Sequence, residues 1–334
     1  MSVLVSGGLG FIGSHTCVEL LNSGYDVVVV ENLYNSKASV KERIEKISGK
    51  PITFYQSDMC DYVALQAIFR NEKIEAAIHF AAYKSVGESV EKPLEYYMNN
   101  LISTLNLCKV MRENNCFNLI FSSSATVYGK VKAVPIAETA EVGKATNPYG
   151  ATKIMIEDIL ADLAKADECW NIIRLRYFNP IGAHKSGLLG ESPNDIPNNL
   201  MPYICKVANK ELTYLHIFGD DYPTSDGTGV RDYIHVVDLA KGHIKAMEKL
   251  HNEHLGLETY NLGTGIGYSV LEMVKAFERV NRVDVPYKIE GRRAGDIAEC
   301  YADTHKANEE LGWKAELDLD DMLSASWNFI QVNK

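Results

Sequence analysis

The sequence predicts an α/β protein, a doubly wound parallel sheet followed by a smaller mixed α/β lobe. Three observations carry this. The first half of the chain alternates short β-branched runs with longer helical patterns. Most of those runs are apolar throughout instead of alternating, as in parallel strands covered on both faces by helices. A glycine-rich turn, Gly7-Gly8-Leu9-Gly10-Phe11-Ile12-Gly13, closes the first run and opens the first helical pattern. That order of strand, glycine turn and helix is the start of a Rossmann-type sheet.

The elements follow in order. Val3-Leu4-Val5 reads as a strand, and Phe11 to Asn22 has helical spacing, with Ile12, Cys17, Val18 and Leu21 on related faces. Val27 to Val30 is a second buried strand. Further strands are expected at Ile52–Phe54, Ala76–Phe80 and Leu119–Phe121, with a helix between each pair. After Tyr177 the pattern breaks. Residues 181–199 hold two prolines and three glycines, and residues 219–232 cluster Asp, Gly, Thr and Pro, so both are expected to be long loops of the kind that carry function. Short strands near Leu215–Phe218, Thr259–Leu262 and Val285–Ile289, with helices at 238–250, at 270–281 and from Leu319, complete the C-terminal lobe. The expected division is a nucleotide domain over 1–180, to which the chain returns around 233–262, and a ligand lobe over 181–334.

Composition narrows the class. The chain has 334 residues, 46% hydrophobic and 23% charged, which suits two compact units and excludes a disordered chain. A net charge of −10 argues against nucleic-acid binding, and a bound anion would need local positive groups. The seven cysteines are scattered, with no Cys-x-x-Cys pair, so neither a disulfide framework nor a zinc or other metal site is expected and a reducing compartment fits. No leader-like segment or membrane-length apolar run is present, so a cytoplasmic location without membrane partners is expected.

In the turn Gly8-x-Gly10-x-x-Gly13, glycines would let backbone N–H groups approach a pyrophosphate, and the helix N-terminus would add a favourable dipole. Glu31 ends the second strand, eighteen residues past Gly13. A carboxylate there would accept from ribose hydroxyls and repel a 2′-phosphate, which favours NAD over NADP; Lys37 and Arg43 nearby leave some NADP tolerance open. An ordinary strand-end acid is the alternative for Glu31.

Asn147-Pro148-Tyr149-Gly150-Ala151-Thr152-Lys153 holds the chemistry. Pro148 suits a first helical turn, and Tyr149 and Lys153, four apart, share one face. A free tyrosine, with a pKa of about 10, is a poor base, so a nearby ammonium and a cationic nicotinamide ring are expected to lower it. Ser122-Ser123-Ser124 follows the Leu119–Phe121 strand, at the end where such sheets bind ligands.

Together the glycine turn, the strand-end serine and Tyr149-x-x-x-Lys153 resemble the extended short-chain dehydrogenase/reductase family. Within it, long runs are similar to the UDP-hexose 4-epimerases: Gly7 to Thr16, Val86 to Ser89, Ser122 to Gly129, Arg176 to Pro180, Ile196 to Ile204 and Asp226 to Val236. The resemblance implies reversible C4 epimerisation of UDP-galactose and UDP-glucose through a 4-keto intermediate, with NAD tightly bound and not consumed, in a homodimer. It selects Ser124 among the three serines to assist Tyr149, the proton acceptor, and it implies cofactor contacts at Gly7, Gly10, Phe11, Ile12, Gly13 and Glu31. It extends them to Asn32, Asn35, Ser36, Asp58, Met59, Phe80, Ala81, Ala82, Lys84, Asn99, Tyr149, Lys153 and Phe178. The UDP-sugar side would use Ser124, Tyr149, Asn179, Asn199, Leu200, His216, Phe218, Arg231, Arg293 and Asp296. Arg231 and Arg293 suit a diphosphate, because arginine forms bidentate charge-assisted bonds.

Three positions depart from the common pattern. Glu31 stands where many relatives have Asp, and Phe11 where Tyr is frequent. Cys300, just before Tyr301-Ala302-Asp303, lies where the family closes its sugar pocket; so small a side chain implies that UDP-N-acetylglucosamine and UDP-N-acetylgalactosamine are accepted too, the alternative being a small buried cysteine with no role in selection. The competing readings are a related dehydratase or decarboxylase and a non-catalytic NAD-binding protein. A 4,6-dehydratase would carry an Asp-Glu pair where this chain has Ala125 and Thr126. His79 and His235 read as structural, His251 and His254 as a solvated helix end, and Gly263 to Gly267 as a turn.

Overall fold

The computed structural model describes every residue except 132, 194–196, 198 and 294, so part of the 196–204 run lies outside the described residues. The chain divides into two compact units. The first holds residues 1–129, 141–176 and 240–260, and the second 130–140, 177–239 and 261–334.

In the first unit the elements are β1 (Ser2–Ser6), α1 (Phe11–Asn22), β2 (Asp26–Glu31), α2 (Ser39–Ser48), β3 (Thr53–Gln56), α3 (Tyr62–Asn71) and β4 (Ile74–His79). Then come α4 (Val86–Glu91), α5 (Pro93–Glu113), β5 (Asn118–Ser124), a 3-10 turn (Ala125–Tyr128), α6 (Pro148–Ala166) and β6 (Asn171–Tyr177). The second unit starts with β7 (Asn179–Ile181), α7 (Leu200–Ala208), β8 (Leu215–Phe218) and β9 (Val230–His235). The chain crosses to the first unit within α8 (Val236–Asn252) and back within β10 (Leu257–Leu262). It ends with β11 (Gly267–Ser269), α9 (Val270–Asn281), β12 (Tyr287–Glu290), β13 (Glu299–Cys300), α10 (His305–Glu310) and α11 (Leu319–Val332).

The main sheet has seven strands in the order β10-β6-β5-β4-β1-β2-β3, the doubly wound arrangement the apolar runs predict. Val5 of β1 pairs in parallel with Val29 of β2 and with Ile78 of β4. The strand order reverses between β1 and β4, and such a switch point opens a crevice at the strand C-termini, where ligands bind. Central strands are buried on both faces, as at Val3, Leu4 and Val5 with no exposed surface. One core joins Leu4, Val28, Leu65, Leu107 and Leu119 to Ile156, Trp170 and Ile172. In the second unit β11, β9 and β13 form a small sheet that β7 joins through β9, and β8 pairs with β12 in parallel. Its core gathers Ile204, Ile217, Tyr233, Phe277 and Leu323.

Two expectations need amendment. Strand β6 breaks its apolar run with Arg174 and Arg176 and has no counterpart among the expected strands. The loop expected over 219–232 ends early, because β9 begins at Val230 and buries Asp232 among hydrogen-bond donors. All seven cysteines are free. Among the described residues no helix is long and apolar enough to cross a membrane.

Candidate active site

The glycine turn closes tightly on its own sheet. Gly7 adopts φ +69°, and a Cβ there would lie 3.0 Å from the Ala81 nitrogen on the loop after β4. A Cβ on Gly13 would sit 2.3 Å from the Gly7 carbonyl, so only glycine lets α1 start this close to the turn. Gly10 is the N-cap of α1; no side chain caps the helix and its first turn holds no acid. The opening N–H groups of Phe11, Ile12 and Gly13 therefore form a backbone cradle suited to an anion, and the chain fits the pyrophosphate of a dinucleotide there.

The other cofactor candidates of the first unit gather on the loops around this turn. Glu31 ends β2, 9% exposed, and its Oε1 accepts from the Leu33 N–H at 3.0 Å. Burial pushes its carboxyl above the ordinary value, with the Leu33 N–H partly opposing. Asn32 donates to Asp58 at 3.0 Å, and Asp58 also accepts from the Cys60 N–H at 2.7 Å. Burial works against ionising Asp58, but these bonds outweigh it and hold its carboxyl below the usual range. Asn35 and Ser36 lie on the same loop as Asn32, and Met59 is buried beside Asp58. Phe80, Ala81, Ala82 and Lys84 follow β4. Ala81 N–H donates to Ser6 Oγ, which bonds His79, and His79 bonds Thr104: a buried structural histidine, as its sequence context suggests. Asn99 on α5 donates to Asn100, which pins the backbone of Tyr83.

The tyrosine and lysine stand on one turn of α6. Asn147 caps the helix by accepting from the Gly150 N–H at 2.8 Å, with Pro148 in the first turn. Ser124 ends β5 and caps the 3-10 turn, its Oγ accepting from the Thr126 N–H at 3.2 Å and from the Thr126 hydroxyl at 3.0 Å. Lys153 is 3% exposed; its Nζ donates to the Ser122 carbonyl at 2.6 Å and lies 6.0 Å from the Tyr149 ring centre. Here the electrostatics differ from the simple expectation. Burial pushes the Tyr149 phenol up, with the Ser124 hydroxyl opposing. Burial pulls Lys153 down to about 7, with the Glu157 carboxylate opposing. In both groups burial dominates, because a low-dielectric site favours the neutral form of each.

Apart from Ser124 and Tyr149, which belong to the first unit, the UDP-sugar candidates lie in the second unit, as does Phe178, which sequence resemblance placed with the cofactor set. Arg231 on β9 pairs in register with Cys300 on β13, itself 9% exposed. Burial raises the Cys300 thiol to about 11, so it is not a thiolate near neutrality. Asp232, next to Arg231, accepts from Thr264 N and Oγ1, from Gly265 N and from Ala302 N at 2.7–3.1 Å. It thereby fastens the 263–265 turn and the end of β13 to β9. Arg293 lies 4.8 Å over the Phe218 ring and pairs with Asp296 at 3.1 Å. His216 stacks on Phe218 at 6.4 Å and bonds Glu290 through Nδ1. Asn179 sits on β7 opposite Tyr233. Asn199 precedes α7, which begins at Leu200, and its amide donates to Glu191.

Tyr222 has no counterpart in the sequence reading. It is buried, its ring lies 4.1 Å under the Arg292 guanidinium, and among the described residues its hydroxyl has no hydrogen-bond partner. Burial pushes its phenol up, the Asp296 carboxylate adding to this and Arg292, Arg231 and Arg293 opposing. A lone aromatic inside the Asp220-Asp221-Tyr222-Pro223 turn was the available signal. Asp232 and Glu157 were also missed, since a buried carboxylate looks like any other in sequence.

The whole chain has close relatives. A family model described as GDP-mannose 4,6 dehydratase matches residues 4–325. UDP-glucose 4-epimerase of Bacillus subtilis (strain 168) is 57% identical over 333 residues, covering 100% of this chain and 98% of that protein. The Mus musculus UDP-glucose 4-epimerase is 52% identical, covering 99% and 97%. The crystal structure of UDP-glucose 4-epimerase from Bifidobacterium longum in complex with NAD+ and UDP superposes with a TM-score of 0.97 at 56% identity, covering 100% and 99%.

Proposed function

The chain belongs to the UDP-glucose 4-epimerases of the extended short-chain dehydrogenase/reductase family, and from that premise we propose how its residues interconvert UDP-galactose and UDP-glucose at C4. The carrying observation is Tyr149 in the first turn of α6 with Lys153 buried one turn further along the same helix, its Nζ donating to the Ser122 carbonyl. NAD is the cofactor; when bound it supplies the hydride acceptor at C4 and a positive ring, and it is regenerated within one turnover. Tyr149 takes the proton of the C4 hydroxyl, and Ser124 hydrogen-bonds the same oxygen and steadies the phenol. Lys153, anchored on the Ser122 carbonyl, holds positive charge near the phenolate as it forms. Because Tyr149 alone is pushed toward its neutral form, that charge has to come from Lys153 and the cofactor ring together. After the 4-keto sugar turns its other face, Tyr149 returns the proton to the C4 oxygen.

In the first unit Gly7, Gly10, Phe11, Ile12 and Gly13 hold the pyrophosphate, Glu31, Asn32, Asn35, Ser36, Asp58 and Met59 the adenosine half, and Phe80, Ala81, Ala82, Lys84 and Asn99 the remainder. In the second unit Arg231 and Arg293 neutralise the UDP diphosphate, with Asn179, Asn199, Leu200, His216, Phe218 and Asp296 around the nucleotide and sugar. The dehydratase reading suffers from Ala125 and Thr126, which carry no acid to protonate a departing C6 hydroxyl. The deciding assay incubates purified protein with UDP-galactose and no added NAD. UDP-glucose should form without net NADH; retained NAD with no interconversion would favour a non-catalytic NAD-binding protein.

Cys300 sets the sugar range. Its small side chain leaves room for a 2-acetamido group, so UDP-N-acetylhexosamines are substrates as well. Cys300→Tyr is expected to lower kcat/KM for UDP-N-acetylglucosamine by about 10- to 100-fold, the size of a steric clash, and that for UDP-galactose much less. Equal losses on both substrates, or no turnover of the acetamido sugar by the native enzyme, would refute this.

Association of two copies fits the surface. Leu94, Met98 and Leu105 form an exposed apolar stripe on α5, with Val90 on α4 and Met155 on α6 as further exposed hydrophobics. We assign this stripe to a homodimer; a monomer mass in sedimentation at micromolar concentration would argue against it. The seven free thiols suit a reducing compartment, the cytoplasm, and exclusive recovery from an oxidising fraction would contradict that location.

A further inference from the structure

In the sheet order, β4 and β2 flank β1. The loops after β2 and β4 therefore stand on either side of the glycine turn that follows β1. Two tyrosines join those loops. The Tyr34 ring lies 4.7 Å from the Tyr83 ring, centre to centre, with the planes 36° apart. The loops they connect carry Asn32, Asn35 and Ser36 on one side and Ala82 and Lys84 on the other, all assigned above to the cofactor.

The two halves of this bridge differ in stiffness. Tyr83 is anchored at both backbone groups: its N–H donates to Asn100 Oδ1 at 2.8 Å, and its carbonyl accepts from Asn100 Nδ2 at 3.1 Å. Its ring meets Tyr96 edge-on at 5.5 Å, and the Tyr96 hydroxyl donates to Glu88 and accepts from the Ser85 N–H. Tyr34 is 56% exposed and sits just past Leu33, a non-glycine residue at φ +63°. Near Tyr34 itself the bonds are short-range, Leu33 N–H to Glu31 and Tyr34 N–H to Asn32, and the tie from Asn32 to Asp58 lies at the base of the loop, two residues before the exposed ring. The Tyr34 side is thus the one that can lift, and the Tyr83 side is the post it closes on.

We propose that Tyr34 and Tyr83 form a strap that retains NAD, opened by movement of Tyr34 before the cofactor can leave. A ligand gripped by the glycine turn and by both flanking loops lies between the feet of this bridge, so its release requires the ring contact to part. The contact involves one ring pair, so the strap slows exchange without making it irreversible. The inference rests on the reading that NAD occupies the glycine turn.

The test follows exchange of bound NAD for labelled NAD in the purified holoprotein. Tyr34→Ala should speed exchange about tenfold, the change expected of one lost aromatic pair, whereas Tyr34→Phe should stay within about twofold of native because it keeps the ring. Adding Tyr83→Ala to Tyr34→Ala should bring little further acceleration, since both remove one contact. Equal exchange rates for native protein and Tyr34→Ala, each carrying NAD, would overturn the strap and leave the cofactor reading intact. A native protein that neither carries nor takes up NAD would overturn both.

Discussion

Tyr149→Phe is expected to lower the epimerase rate by about 10²- to 10⁴-fold, the range for loss of a positioned acid–base group. The variant removes one oxygen and little else. The α6 cap from Asn147 to Gly150 and the Thr152 bonds to Tyr149 O and Asn100 do not involve the phenol hydroxyl. Folding and NAD content should therefore match the native protein, which separates loss of chemistry from loss of structure. The retained Ser124 hydroxyl keeps its Thr126 partners and does not substitute, because a serine hydroxyl is a far weaker acid than a phenol. The measurement is kcat with UDP-galactose alongside bound NAD and the unfolding midpoint. Full activity in Tyr149→Phe would remove Tyr149 from the mechanism.

Arg176→Met should be the most damaging change to stability, at about 3–5 kcal/mol, the usual result of stripping one partner from a buried ion pair. Glu157 is buried beneath the Tyr-Lys turn, and Arg176 binds it through Nε at 3.0 Å and Nη2 at 2.6 Å. Ser123 Oγ donates to it at 2.5 Å, and Arg174 lies 3.7 Å away. Burial disfavours the Glu157 charge, but Arg176 outweighs burial and holds the carboxyl below its ordinary value. A depressed carboxyl contributes stability above its unfolded pKa, about 4.3, and that contribution fades as pH falls through the lower folded value. In the variant the sign reverses: burial dominates, and the carboxylate becomes a burden at neutral pH that protonation relieves. The gap in denaturation midpoint between native and variant should thus be wide at pH 7 and narrower near pH 4.5. A gap independent of pH would show that lost packing, not the charge, is responsible. The same substitution reaches the site, because the Glu157 charge supports the Lys153 ammonium.

The glycine turn, the strand alternation and the Tyr-Lys spacing were legible because each is a local pattern. Periodicity alone places Tyr149 and Lys153 on one face, and the turn's glycines announce a crowded backbone that the Gly7 and Gly13 contacts explain. Strand β6 was hidden by the arginines that serve Glu157, and β9 by the polar residues around Asp232, both of which only make sense with their distant partners. Tyr222 was hidden likewise, since its neighbours Arg292 and Arg293 lie about seventy residues along the chain.

Sequence alone therefore determined the fold class, the glycine turn, and the spacing that puts Tyr149 and Lys153 on one helical face, all set by interactions within a few residues. The tertiary structure decided the state of that pair. Lys153 finds its carbonyl in Ser122, 31 residues away, and its counter-charge in a glutamate clamped by an arginine on another strand. Burial, which no single stretch of chain encodes, then pushes Tyr149 up and Lys153 down, so what the pair can do depends on the dielectric and charges that folding collects around it.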